Sequence, residues 1–488
     1  MAFRKAYQAL LNNVDHESLD MGGRRVYITE PIDMQAATPE RTTYATRRAI
    51  RNGQIEAQSS GDWATETVTS QATYDTSDNH TLSGVANVAN IKVGSLVEGV
   101  GVGREVYVRD TNVAAQRLTL SAPLFDADGT QNFTFRRFKY LLDFSGYSSL
   151  SKFVLDDIEF QCNGQASGIL LAPSGTIFHL RDCFISRPGN RGLTSHGSGC
   201  QGMLIDRCQF LSNEDSLEAD DRTTIALNAH ANDVKIRNNR STKFRHFAIL
   251  GGANTLFSGN HFFQGDGVPS GIRTAGLIIA KSHASSIVTG NYVDNCFIEW
   301  TNEYDQAPEF NTEFSFSALS ITDNVFLSGD VAPWFSYIIV KPHGAGHFLS
   351  GVSITGNRFR SLGTAIDRVE RVDTSFADLD RSRMNEVTFD GNSFHGVSER
   401  VSNPLRLRHT EGSVATTWSV DTEERLPFKG QTLSVEGAVV LGRLRNSSNS
   451  VVFATPALDT RKGTNHDHIE VTWDQPLRGT LQLTIRMD

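Results

Sequence analysis

The stretch Val-Ser-Ile-Thr-Gly-Asn-Arg-Phe at 352–359 decides the fold, because the chain repeats it in altered form. Leu-Ser-Ile-Thr-Asp-Asn-Val-Phe occupies 319–326, and Val-Thr-Phe-Asp-Gly-Asn-Ser-Phe occupies 387–394. Within each copy apolar and polar residues alternate with period two, which is typical of strands and excludes a helical repeat. Each copy therefore predicts a strand, a tight turn at the Asn, and a second short strand.

Nine copies of this unit can be aligned on the Asn position. The aligned residues are Ile158, Cys183, Cys208, Asn239, Asn260, Asn291, Asn324, Asn357 and Asn392. A strand repeat of 21 to 35 residues predicts a right-handed parallel β-helix, a solenoid in which each copy is one rung. The fold class is therefore all-β. A further strand is predicted before each copy, for example at 277–281 and 337–341.

Stacking of equal positions on successive rungs leads to two expectations about the interior. The Asn residues should adopt the left-handed backbone conformation at the corners and form a ladder of side-chain hydrogen bonds. Six phenylalanines share one phase and should form an aromatic stack: Phe160, Phe210, Phe262, Phe326, Phe359 and Phe394.

The segments around the repeat divide the chain into four predicted parts. Residues 1–56 form an N-terminal cap and first rung, because residues 3–13 place Phe3, Tyr7, Leu10 and Leu11 on one helical face. The remaining parts are an inserted small β-module at 57–142, the parallel β-helix at 143–404, and a C-terminal β-sandwich-like domain at 405–488. Strands within the module are expected at 80–82, 90–93, 105–109, 117–121 and 133–138.

Composition excludes several classes of function. The 488 residues carry a formal net charge of −9, which argues against a nucleic-acid partner. The sequence has no apolar run of about 18 residues, so membrane insertion is not expected. The first residues lack the apolar core of a signal peptide, which predicts synthesis in a bacterial cytoplasm without export. The five cysteines show no zinc spacing, and the sequence predicts no metal and no cofactor.

The helix, the Ile-Arg-Asn-Gly-Gln-Ile rung at 50–55 and the Gly-Asn-x-Phe rungs resemble the pectate-lyase-like superfamily, which includes phage tailspikes. Four stretches are similar to the head-spike fibre proteins of phage-like gene transfer agents: 298–303, 331–335, 341–348 and the final Arg-Gly-Thr-Leu-Gln-Leu-Thr-Ile-Arg-Met-Asp. This resemblance implies a homotrimeric spike on the surface of a virion or phage-like particle. Such a spike would bind capsular or other cell-surface polysaccharide and contact other virion proteins, such as the spike base or capsid.

A polysaccharide depolymerase on the same scaffold, either a hydrolase or a lyase, is the alternative function, and a structural adaptor is a third. The polygalacturonase motifs do not line up on neighbouring rungs, and Gly-His-Gly is absent. Carboxylates instead gather in three loops, around 214–221, 299–313 (including Glu313) and 367–380. Glycoside hydrolysis needs two carboxyl groups at a defined separation. The best catalytic candidates are Glu299 and Glu303, although solvated acidic loops are the simpler reading.

Several side chains are candidates for glycan contact. Aromatic rings can stack on sugars, and lysines that share a phase could pair with an acidic sugar. The candidates are Trp300, Tyr304, Trp334, Lys281, Lys341, His283 and His343. For the two tryptophans a position in the core is an equal alternative. For the lysines a solvated turn is the simpler reading, and for the histidines a surface turn is the alternative.

Overall fold

The computed structural model describes residues 2–265, 267–305, 307–311 and 314–488. The chain begins with the predicted helix, Ala2–Asn12, whose buried face carries Phe3, Tyr7, Leu10 and Leu11. The Tyr7 ring packs edge-on against Phe153 of an early rung at 6.2 Å between centroids. The helix therefore covers the open end of the solenoid. Short 3-10 turns lie at Gln35–Ala37, Gly61–Trp63, Thr76–Asp78, Val88–Asn90, Ser198–Cys200, Arg381–Arg383 and Pro427–Lys429.

The predicted parallel β-helix is confirmed, and it has three parallel sheets. The first sheet holds the strands before the Asn corner: Phe178–Arg181, Leu204–Asp206, Lys235–Arg237, Leu256–Ser258, His283–Thr289, Phe316–Thr322, Leu349–Thr355 and Asn385–Asp390. The second sheet holds those after it: Phe184–Ser186, Gln209–Leu211, Arg240–Thr242, His261–Phe263, Tyr292–Asp294, Val325–Ser328, Arg358–Ser361 and Ser393–His395. The long strands Ser18–Ile28, Arg48–Ala57 and Phe153–Gln161 run through both sheets.

The third sheet closes each rung and positions most of the candidate residues. Its strands, in spatial order, are Ile32–Asp33, Tyr140–Asp143, Ser167–Leu170, Arg191–Thr194, Ile225–Ala229, His246–Leu250, Ala275–Ile279, Phe297–Thr301, Ile338–Lys341 and Glu370–Val372. A small pair, Thr43–Tyr44 with Ser149–Leu150, lies beside the early rungs. Side chains alternate between the solenoid core and the outer face of this sheet.

The predicted Asn ladder is present along the corners. The Asn291 Nδ2 donates to Asn324 Oδ1 at 2.9 Å, and the Asn324 Nδ2 donates to Asn357 Oδ1 at 3.0 Å. Each of these amides also donates to a carbonyl of the rung below, such as Val288 for Asn324. The left-handed residue was predicted wrongly, because it is the one before the Asn, such as Gly356 with φ of 68°.

The phenylalanine row has the predicted phase but does not form one continuous stack. Strand pairing places Ile185 between Phe160 and Phe210, Ser241 between Phe210 and Phe262, and Val293 between Phe262 and Phe326. Direct stacking occurs from Phe326 to Phe359 at 4.9 Å and from Phe359 to Phe394 at 5.8 Å. The prediction failed because the alignment was anchored on Asn, and three rungs carry another residue at the Phe position.

The inserted module is one six-stranded antiparallel sheet. Its strands are Glu66–Tyr74, Thr81–Ser83, Leu96–Glu98, Val108–Asn112, Arg117–Leu120 and Gly129–Arg137. The strand expected at 90–93 is wrong, because Val88–Asn90 is a 3-10 turn and the strand follows at Leu96. The strand Glu66–Tyr74 was not predicted from its polar sequence.

The C-terminal segment is a five-stranded antiparallel sheet. Its strands are Leu405–Asp421, Ser434–Asn446, Val451–Val452, Ala457–Lys462 and His468–Arg486. The long last strand pairs with three others and buries Trp418 and Trp473, whose rings lie 4.9 Å apart. Among the described residues, no helix has the length and apolar character needed to cross a membrane.

Candidate functional site

The outer face of the third sheet has a covered part and an uncovered end. The module lies on the covered part, where the outward side chains of Ile225, Ile249 and Ile278 join the module's own hydrophobic core. Tyr304, a predicted glycan contact, belongs to this same buried cluster and is 9 % exposed. The apolar contact predicts that the module docks on the solenoid as a fixed unit.

Arg104 of the module binds both candidate catalytic carboxylates. It forms an ion pair with Glu299, and its Nη2 lies 2.8 Å from Glu303 Oε1. Both glutamates are buried, at 7 % and 4 % exposure. Burial raises the pKa of Glu303 above the usual glutamate value, and Arg104 only partly opposes that rise. The pair is thus placed as an anchor for the module.

A second buried ion pair fixes the module nearby. The Arg191 guanidinium donates from Nε and Nη2 to the two carboxylate oxygens of Glu105, at 3.0 and 2.8 Å. This two-pronged geometry is the strong form of an arginine–carboxylate contact. The Tyr304 hydroxyl donates to the main-chain carbonyl of Arg104 at 2.5 Å. The module is therefore attached by apolar, ionic and hydrogen-bonded contacts together.

The uncovered end carries two exposed aromatic rings. Trp334 is 53 % exposed and Phe376 is 48 % exposed. The Arg371 guanidinium lies 5.5 Å from the Trp334 ring, and the Lys341 ammonium lies 5.2 Å from the Phe376 ring. A cation at this distance from an aromatic face is electrostatically attracted to it. Each exposed ring thus has a positively charged neighbour.

Asp373 forms an ion pair with Lys341 and lies close enough to Arg371 to feel its charge. Arg371 and Asp373 belong to the last rung of the third sheet, and the Lys341 ammonium lies 3.5 Å from the Asp373 carboxylate. Burial favours a higher pKa for Asp373, but hydrogen bonds from Ser375 and the two nearby cations outweigh it, so its pKa is lowered. We call Trp334, Lys341, Arg371, Asp373 and Phe376 the exposed patch.

His343 connects this patch to the module. Its ring stacks on Phe376 at 4.3 Å and meets Phe125 of the module edge-on at 5.1 Å. Burial, followed by the charge of Lys341, lowers the pKa of His343 to about 4, so the ring is neutral at pH 7. A neutral imidazole between two phenyl rings acts as packing and holds Phe376 in place.

The other predicted glycan contacts lie elsewhere. Trp300 is 2 % exposed, packs against Phe316 in the solenoid core and donates a hydrogen bond to the Lys281 carbonyl. It is therefore a core residue, as the alternative interpretation of the sequence proposed. The two lysines were expected at equivalent positions of their rungs. Ile279 pairs with Trp300 and Trp300 pairs with Val340, so Lys341 is equivalent to residue 280 and the expected alignment with Lys281 is wrong by one residue. His283 belongs to the first sheet and stacks on the exposed Phe314 at 4.4 Å.

Sequence reasoning missed three members of the patch. Arg371, Asp373 and Phe376 lie in a stretch that was read only as an acidic insertion loop. Aligning 370–372 with the 338–341 strand would have placed Arg371 and Asp373 beside Ile339 and Lys341. No sequence signal marked Phe376, because its neighbours are brought to it by the fold.

The remaining charged clusters stand apart from the patch. Glu214 accepts hydrogen bonds from the main-chain N–H groups of Thr223 and Thr224, which stabilises its own loop. Glu313 lies outside the described residues. In the part of the chain that the structure describes, one group of three potential metal ligands occurs, Asp421, Asp467 and His468 in the C-terminal sheet.

Solved structures with similar folds are phage tailspikes. The Pseudomonas phage phi297 tailspike gp61 has a TM-score of 0.29 at 10 % identity, over 99 % of this chain and 91 % of that one. The Gp54 tailspike of Acinetobacter baumannii bacteriophage AP22, solved with a capsular saccharide, has a TM-score of 0.28 at 9 % identity, over 97 % and 91 %. A variant of the E. coli bacteriophage HK620 tailspike has a TM-score of 0.38 at 12 % identity, over 99 % and 89 %.

No protein-family model and no curated protein sequence matches the chain. Similarities to solved structures at these low identities and TM-scores say nothing about what this chain binds. Its function has to be inferred from its own surface.

Proposed function

We propose that the chain is a spike or fibre protein of a virion or phage-like particle and binds a host cell-surface polysaccharide, such as a capsule. The exposed patch carries this proposal. Two solvent-exposed rings with adjacent cations lie in the turns that flank two strands of the third sheet, and Trp334 alone among the five tryptophans is more than 5 % exposed.

The chemistry of the patch suits a saccharide. An aromatic ring offers a flat apolar surface to the C–H face of a sugar, while Lys341, Arg371 and Asp373 offer hydrogen-bond donors and acceptors to hydroxyl groups. Lys341 and Arg371 lie on strands, Trp334 lies in the turn before one of them, and the Phe376 loop is packed by His343, so little ordering is needed when a ligand binds. Preorganised rings on a regular scaffold support recognition of a repeating polymer.

The test is binding of the purified protein to encapsulated bacteria and to acapsular mutants of the same strains. The double variant Trp334→Ala, Phe376→Ala should lose at least about tenfold in affinity for the encapsulated cells, because exposed anchors dominate such contacts. Phe184→Ala is the matched control, since Phe184 is 46 % exposed on the second sheet. Equal binding to acapsular cells would overturn the proposal.

The proposal includes assembly as a homotrimer joined to other virion proteins. The C-terminal sheet supports self-association, because it exposes Phe453 at 95 % and Val439 at 57 %. Sedimentation equilibrium should give a trimer for the wild-type chain and a smaller species for Phe453→Asp. A wild-type monomer at micromolar concentration would contradict this part of the proposal.

Binding without cleavage is favoured over depolymerisation by Glu299 and Glu303. Both carboxylates are ion-paired with Arg104 and are at most 7 % exposed, so neither is free to act as the acid or the nucleophile of a hydrolysis. Capsular polysaccharide incubated with the protein should release no new reducing ends and no unsaturated sugars. If the wild-type protein released such products and the double variant Glu299→Gln, Glu303→Gln did not, the result would instead support the depolymerase.

A further inference from the structure

A cleft of about 540 Å³ lies between the module and the third sheet, next to the buried ion pairs. Its walls include Val97 and Val102 of the module and Ile225 and Phe297 of the solenoid. Thr223 and Thr274 add hydroxyl groups on the solenoid side. The volume and the mixture of apolar and polar walls fall within the usual range for a small-molecule site.

Arginines from successive rungs line one side of this cleft. Arg191, Arg222, Arg245 and Arg273 each lie at or just before the start of a third-sheet strand, and these four strands are neighbours in the sheet. The four positions differ by up to three residues in strand register, so the arginines are staggered along one edge of the sheet on rungs about 4.8 Å apart.

The carboxylates in the cleft walls already have arginine partners. Glu98 pairs with Arg136, Glu105 with Arg191, and Glu299 with Arg104. None of these three carboxylates pairs with Arg245, so the cleft is suited to a negative charge supplied by a ligand at this arginine.

Arg245 is the arginine best placed to meet such a charge. Its Nη1 donates to the carbonyls of Asp220 and Arg222, at 2.6 and 2.8 Å, which fixes the direction of the side chain. It forms no ion pair with any carboxylate among the residues that the structure describes, and it is half-buried. A guanidinium held by one nitrogen keeps its remaining N–H groups for a planar anion.

The cleft and the exposed patch lie on neighbouring strands of the third sheet. Glu299 in the cleft wall pairs in register with Ile339, and Ile339 pairs with Arg371. The Phe297 ring meets Phe335, the neighbour of Trp334, at 6.3 Å. One polymer lying along the solenoid axis would pass from Arg245 to Trp334.

We propose that this cleft binds the negatively charged sugar of an acidic polysaccharide, with the sugar's carboxylate on Arg245. The inference rests on the proposed function and names the class of polysaccharide: one that contains a uronic or related acid. The exposed patch then binds neighbouring sugars of the same chain through their apolar faces.

The test uses purified acidic capsular polysaccharides, each in its native form and after chemical reduction of the carboxyl groups to hydroxyls. The wild-type protein should bind at least one native polymer and bind its reduced form about tenfold more weakly, because a charge-assisted hydrogen bond is lost. Arg245→Gln should weaken binding of the native polymer by a similar factor and leave the reduced polymer unaffected. Arg245→Lys, which keeps the charge, should restore part of the affinity.

Arg358→Gln serves as the matched control, because Arg358 is an exposed arginine on the second sheet. Equal affinity for native and reduced polymers, with Trp334→Ala still weakening both, would overturn this inference and leave the proposed function intact. An Arg245→Gln effect of equal size on both polymers would also overturn it, since that result indicates a structural role. Binding to none of these acidic polymers, with encapsulated cells still bound in preference to acapsular cells, would overturn this inference alone, whereas no preference for encapsulated cells would overturn both proposals.

Discussion

The covered part and the uncovered end of the third sheet present the same strand geometry to different surroundings. Ile278, Glu299, Ile339 and Arg371 occupy one column on the outer face, paired strand to strand. Under the module, this column provides an apolar contact and a buried ion pair. Beyond the module, it provides the cation beside Trp334. The comparison shows that the inserted module, and not the rung sequence, determines which outward residues anchor a domain and which face solvent.

The largest expected effect comes from breaking the anchor on the covered part. Arg104→Ala leaves two buried carboxylates without their cation, which should lower the free energy of unfolding by about 3–5 kcal/mol. Chemical denaturation of the full chain, with limited proteolysis of the module, measures this loss. Arg136→Ala is the control, because its pair with Glu98 is exposed and should contribute about 0–1 kcal/mol. Equal, small losses in both variants would contradict the anchor.

A smaller loss in the free energy of unfolding is expected when the Asn ladder, which runs beneath both parts of the sheet, is interrupted. Asn324→Ala removes a fully buried amide that links three rungs and leaves its partners unsatisfied, at a cost of about 3 kcal/mol. Asn392→Ala, at the half-exposed end of the ladder, should cost about 1 kcal/mol. Denaturant unfolding compares them, and an equal cost at both positions would show that ladder burial is unimportant. Neither variant should change the ratio of binding to encapsulated and acapsular cells.

The next effect depends on pH and again concerns the anchor. Burial raises the pKa of Glu303 in the folded protein, so protonation of this carboxyl stabilises the fold. This stabilisation is fully present below the pKa of glutamate in the unfolded chain, about 4.3. That contribution is lost as the pH rises through the folded pKa. Glu303→Gln should therefore be more stable than the wild type by about 1 kcal/mol at pH 7, with no gain at pH 4. Thermal unfolding at both pH values checks this, and a loss at pH 7 would contradict it.

The smallest effect on stability is expected at the uncovered end. Trp334→Ala should change the free energy of unfolding by less than about 0.5 kcal/mol, because the indole is mostly in solvent. A loss of several kcal/mol would show that the patch is part of the solenoid core. Circular dichroism melts of this variant and of Phe184→Ala provide the comparison.

The sequence was sufficient to predict the features that repeat locally. Rung strands, the Asn ladder and the capping helix follow from alternation and spacing, since each depends on neighbours one rung away. The contact of Arg104 with Glu299 and Glu303 joins residues about 200 positions apart, and no periodicity relates them. Phe376 likewise acquires its partners His343 and Phe125 only through the fold. Sequence periodicity therefore predicted the β-helix, whereas long-range contacts determine which of its outward side chains are exposed to a ligand.

Tryptophan fluorescence tests the central claim most directly, because Trp334 is the exposed indole while Trp63, Trp300, Trp418 and Trp473 are at most 5 % exposed. Acrylamide quenching of the full chain should show one accessible tryptophan, which Trp334→Phe removes. Adding a capsular polysaccharide that the protein binds should protect that tryptophan from acrylamide. Binding of the polysaccharide with unchanged quenching of Trp334 would contradict the assignment of the exposed patch as the saccharide site.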